Sequence, residues 1–135
     1  MLVTSVLQAG LLDMAQAPSK TLAEAAQRFG QVIVDWASGA SAMGIPVFPL
    51  PTPAVLVPMF LAGSPLEAIM AAFWPTLVFP GAIVVPTGPP LVNPLAANTP
   101  DAAAAALALA TAMDVNAHLQ MVTFPGAPPV VVPIL

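Results

Sequence analysis

Cysteine is absent from the 135-residue chain, which excludes disulfides, thiolate metal sites and thiol nucleophiles. Cations are almost absent as well: Lys20 and Arg28 are the only two, and none follows Arg28. Phosphate cradling, counterion release from nucleic acid and steering of anions all need clustered Lys or Arg. Direct nucleic-acid binding is therefore not expected, and no flanking cations are present to set a membrane topology. Charge of either sign is scarce, at 6% of the residues against about 25% in ordinary globular proteins. The six carboxylates, Asp13, Glu24, Asp35, Glu67, Asp101 and Asp114, are scattered, so the net charge of −4 forms no acidic tail or patch.

What fills the space is apolar: 59% of the residues are hydrophobic, mean hydropathy is +0.93, and there are 18 prolines. A chain of this length makes one domain and can bury roughly 68–70% of its unfolded surface. A soluble surface draws about 25–35% of its residues from Lys, Arg, Glu and Asp. Much of this surface is accordingly expected to face protein or lipid rather than water. The apolar start, Leu2 to Ala17 with Ala15-Gln16-Ala17 resembling a cleavage site, is not expected to be a signal peptide, because no cation precedes it and Asp13 interrupts it.

Spacing divides the chain into four parts of a single domain, 1–135. Residues 1–43 read as a helical hairpin. Val3, Leu7, Leu11 and Met14 recur at three and four in its first helix, and Ala17-Pro18-Ser19 breaks the pattern. The second helix, Lys20 to Ala37, carries a stripe of Leu22, Ala25, Ala26, Phe29, Val32, Ile33 and Trp36. Lys20, Glu24 and Arg28 fall at i, i+4 and i+8 on its polar face, so both cations are expected to pair with one carboxylate; Gln27, Gln31 and Asp35 extend that face toward water.

From 44 to 63, Pro46, Pro49, Pro51, Pro53 and Pro58 alternate with Val, Phe and Leu. Proline fixes φ and removes a donor, so this stretch is expected to be an extended arm close to polyproline II. Two related units follow, 64–98 and 99–135. Each opens on a helix start, Ser64-Pro65-Leu66-Glu67 and Thr99-Pro100-Asp101, with a capping hydroxyl, proline at the first helical position and an acid in the first turn. Each closes on Phe-Pro-Gly-Ala, at 79–82 and 124–127, followed by a Val-rich extended segment and proline. The first helix stops near Pro75; the second runs from Pro100 to about Gln120, with turn signals at Thr87-Gly88-Pro89-Pro90 and Asn93-Pro94 between the units. The expected fold is mainly α, a small helical domain with long Pro-rich extended arms in polyproline II or edge-strand form.

Chemistry-bearing residues are few. His118 follows Asp114 by four on the long helix, with Thr111 on the same face, the outline of a nucleophile-base-acid set. The plainer reading is a surface carboxylate-imidazolium pair that solvates one helix edge, and no catalytic residue is assigned. One His and scattered carboxylates make no metal constellation, and the glycines form neither a phosphate loop nor a dinucleotide fingerprint. No metal or cofactor is expected. Trp36 and Trp74 sit on apolar stripes as packing residues. Leu66 to Val85 matches the length of a membrane-spanning helix, but Pro75, Pro80 and Gly81 interrupt it. A membrane protein is the alternative to the reading below.

The helix TLAEAAQRFGQVIVDWASG, the alanine helix DAAAAALALATAMD and the following VTFPGAPP resemble small Ala/Pro-rich structural proteins of tailed-phage virions and related contractile particles. That resemblance implies a virion structural or accessory role without catalysis and assigns no functional residue. The expected function is a non-enzymatic subunit, a minor capsid or tail protein of an extracellular particle, packed against many copies of other subunits. The expected contact residues are Phe48, Leu50, Val55, Val57 and Phe60 in the Pro-rich arm, with Phe79, Phe124, Val130, Val131 and Val132 in the two units. Val130-Val131-Val132 is expected to add to a sheet edge, with Pro133 ending the pairing.

Overall fold

The first two helices are joined by the chain's one arginine. In the computed structural model, which describes residues 1–85, 101–126 and 128–135, helix α1 spans Thr4–Gln16 and α2 spans Leu22–Ala37. The last carbonyls of a helix have no intrahelical partner and carry partial negative charge. Arg28 reaches back from α2 to those groups: its guanidinium donates to the backbone oxygens of Ala17 and Asp13, to Ser19 Oγ at 3.0 Å and to the Asp13 carboxylate at 3.2 Å. The expected pairing of Arg28 with Glu24 is thereby replaced, because a planar five-donor group gains more from several acceptors at a helix end than from one exposed carboxylate.

Glu24 instead serves the start of α2. Thr21 is the N-cap, its hydroxyl accepting from the Glu24 amide at 3.1 Å, while the Glu24 carboxylate accepts from the Lys20 amide at 3.3 Å. Thr21→Ala is expected to cost about 1 kcal/mol, read as a lower urea midpoint at unchanged slope. The apolar face of α2 buries Ala26, Phe29, Ile33, Val34 and Trp36, and its polar positions Glu24, Gln27, Gln31 and Asp35 are exposed, as expected.

The long Pro-rich arm does not appear as one extended segment. After α2 comes a two-strand hairpin, β1 (Ser41–Ala42) with β2 (Ile45–Pro46), turned by Met43 and Gly44 at φ 51° and 76°. An irregular stretch with a cis Phe48-Pro49 peptide leads to helix α3, Leu56–Leu61. Pro58 is its third residue, where a missing amide costs little. Gly63 at φ 73° ends α3 in a left-handed cap, with its amide on the Phe60 carbonyl and that of Ser64 on the Met59 carbonyl. Ser64 is thus spent closing α3 and does not cap the next helix. Helix α4 (Leu66–Phe73) has Pro65 at its N-cap and runs into a single 3₁₀ turn, Trp74–Thr76.

Helix α5 spans Ala102–His118 with Asp101 as N-cap, its carboxylate accepting from the Ala103 amide at 3.2 Å. The expected Thr99-Pro100 start and the turns at 87–90 and 93–94 lie outside the described residues. Strands β3 (Ile83–Val85), β4 (Met121–Phe124) and β5 (Val130–Pro133) form an antiparallel sheet in the order β3-β4-β5. The two Val-rich segments that follow Phe-Pro-Gly-Ala therefore flank one strand, with Val84, Val122 and Val132 in one row. The two motifs themselves differ. Phe79 to Ala82 closes a tight turn, Ala82 N–H to the Phe79 carbonyl, with Gly81 at φ 80°, while Phe124 belongs to β4. The row of valines faces a core that draws on every helix, from Leu2 to Ile134, centred on Trp36, Phe73, Trp74 and Phe79.

Candidate functional site

The ten expected contact residues fall into two groups. Phe79 is 1% exposed and lies in the core. Phe60 stacks on Phe29 at 5.1 Å, Val57 packs over Gly30, and Phe124 and Val132 pack against the core from its edge; Val55 is half-buried. These side chains are engaged in the chain's own packing. Phe48, Leu50, Val130 and Val131 remain exposed, the first two at 67% and 62%. The Phe48 amide donates to the Val78 carbonyl at 2.8 Å, which sets a third exposed apolar side chain, Val78, beside Phe48.

The β5 edge is narrower than its sequence suggests. Bonded and non-bonded pairs alternate along an antiparallel ladder, and the Ile134 amide bonds to the Gln120 carbonyl, so Val132 and Val130 turn toward β4. The backbone groups of Val131, Pro133 and Leu135 face the other way. Leu135 is already paired with Ser41, by bonds of 2.8 and 2.9 Å, and Pro133 has no amide to give. Among the described residues, Val131 has no further backbone partner on that edge, so a strand added there would meet a single donor-acceptor pair between two prolines.

Helix α5 places His118 and Asp114 one turn apart. His118 Nδ1 is 2.7 Å from the Asp114 backbone oxygen and 3.5 Å from its carboxylate. A carbonyl can only accept, so Nδ1 carries the hydrogen. The Thr111 hydroxyl donates one turn back to the Leu107 carbonyl at 2.8 Å. His118 and Asp114 are thus brought together, and Thr111 is engaged elsewhere, so the three do not form a proton relay in this arrangement. Among the described residues no three His, Asp or Glu side chains gather as metal ligands.

Two features had no signal in the sequence. Asn116 and Gln120 are buried; Asn116 Oδ1 accepts from Trp74 Nε1 at 2.8 Å, and Gln120 Nε2 donates to the Asn116 carbonyl at 3.0 Å. The bond satisfies a buried indole N–H, and nothing in an alanine-rich helix marks the asparagine that supplies it. The second is an open groove of about 310 Å³ between α1 and α5, lined by Leu11, Met14, Ala15, Ala102, Ala105 and Leu109 among others. It offers apolar contact and no group that would orient a polar ligand.

Compared with known proteins, the chain matches no protein-family model, no curated protein and no solved structure.

Proposed function

We propose that this chain is a non-enzymatic structural subunit of a large, permanent assembly, present in many copies, with an extracellular virion capsid or tail as the particle its sequence suggests. The observation that carries the reading is the character of its surface. Phe48, Leu50, Val78, Val115, Val130 and Val131 are each more than two-fifths exposed, on a chain with only two cations and six carboxylates. Monomers rarely leave large apolar patches open to water, and permanent interfaces are the more apolar kind.

Lipid is the other medium that would cover such a surface. No helix among the described residues is long and apolar enough to cross a membrane. The stretch Leu66 to Val85 is divided into α4, the 3₁₀ turn, an irregular segment and β3.

The test is to follow the chain through mild detergent extraction of its native material. It is expected to stay in a large, detergent-resistant particle; release into micelles overturns the reading. Phe48→Asp and Leu50→Asp, both at exposed positions, are expected to lower incorporation by about tenfold or more, since each removes an apolar contact worth about 1.5–3 kcal/mol when buried. Normal incorporation of both would move the contact surface away from this loop.

A further inference from the structure

We propose that the outer face of α5 is a two-fold contact with α5 of a second copy of this chain. The inner face is occupied: Ala106, Leu109, Ala110 and Met113 are buried, and α1 packs along this helix. Directly opposite lies Thr111, exposed. At 100° per residue, Ala104 and His118, seven positions to either side, fall about 20° from Thr111, and Leu107 and Val115, four positions to either side, about 40°. Leu107 is 49% and Val115 55% exposed, Ala104 is exposed, and the His118 side chain is 39% exposed. The face thus runs along the helix for about 20 Å, and its charged member, Asp114, stands at its flank, half-buried.

The pattern selects a second copy because it complements itself when reversed about Thr111. An antiparallel two-fold places Thr111 against its own copy, Leu107 against Val115, and His118 against Ala104. Each bulky ring then meets a small side chain, so the helices approach evenly along their length. The arrangement is also favourable in charge. It sets the N-terminal end of each α5, where Asp101 stands, beside the C-terminal end of the other, where His118 stands, so the helix dipoles run antiparallel. A parallel copy would set like ends together and face His118 with His118.

A single-helix contact lies at the small end of the interface scale. This inference therefore rests on the assembly reading: other contacts hold the copies near one another, and the α5 pair fixes their mutual orientation.

The absence of cysteine makes the test direct. Helix axes 8–10 Å apart put the two Cα atoms of a residue on the two-fold axis roughly 3.4–5.4 Å apart, which enters disulfide range at the wider spacing. Full-length Thr111→Cys is expected to lose most of its monomer to a disulfide dimer under mild oxidation. Glu24→Cys, on the exposed polar face of α2, is expected to remain monomeric. Leu107→Cys is expected to cross-link to Val115→Cys in a mixture, and poorly to itself. Equal cross-linking of Thr111→Cys and Glu24→Cys overturns the proposal, as does efficient self-linking of Leu107→Cys. Retention in a large particle without a Thr111 cross-link would overturn this contact while leaving the assembly reading in place.

Discussion

Phe79→Ala is expected to destabilise the fold by about 3–5 kcal/mol, the range for removing a fully buried aromatic ring. The ring is 1% exposed and belongs to the cluster that holds Trp36, Phe73 and Trp74. It sits at the start of the tight turn that feeds β3, so its loss leaves a cavity under the sheet and loosens the entry of an edge strand. The expected result is a large fall in the urea midpoint, followed by the fluorescence of the two buried tryptophans. The same change at Phe48, which is 67% exposed, is expected to stay within about 0.5 kcal/mol. Comparable losses at the two positions would mean that Phe48 is packed in the free chain.

Gly30→Leu is the second large effect, expected at about 3 kcal/mol, the upper end of the overpacking range. Glycine inside a helix is normally a small liability, about 1 kcal/mol against alanine. Here it is where α3 and its lead-in dock on α2. A Cβ would stand 2.8 Å from Pro53 Cβ and 3.2 Å from Val57 Cγ2, and Pro53 has no rotamer that withdraws its ring. The leucine must push α3 off α2 and open the Phe29–Phe60 stack beside it. The check is whether urea unfolding shifts while far-ultraviolet circular dichroism of the folded state keeps the signal of α1, α2 and α5. An unchanged midpoint would show that Pro53 does not press on α2.

The same glycine shows where the sequence was readable. Helix α2 was legible because apolar and polar residues alternate at the helical period, and its buried and exposed faces follow that division except at Leu22, which the stripe included and which is exposed in the first turn. Residues 44–63 offered no such division: apolar side chains stand on every side, and Pro58 looked like a breaker although it occupies a helix's first turn. What makes α3 a helix is its partner, the bare backbone at Gly30, and that contact is not local.

The sheet was half-legible in the same way. Val-rich segments after Phe-Pro-Gly-Ala read as extended, but their common partner Met121–Phe124 depends on pairing across α5. Which apolar side chains stay exposed was the least legible. With so few charges, Phe79 and Phe48 look alike in sequence, and only packing separates the buried ring from the exposed one. The Trp74–Asn116 bond needed the fold as well, since one partner lies in the 3₁₀ turn and the other on α5.

The central place of β4 also bears on how the chain reaches this structure. Strand β5 returns to β4 across residues 125–129, a hairpin whose closure costs little entropy and belongs to the microsecond range. Strand β3 must meet the same strand with residues 86–120, including all of α5, lying between them. The hairpin is therefore a site where order can begin locally, whereas β3 pairs only by closing the longer loop that contains α5. The three-residue strand β3 therefore has the most chain to order before it pairs, and the β4 edge it covers is the part of the sheet that local closure alone cannot complete.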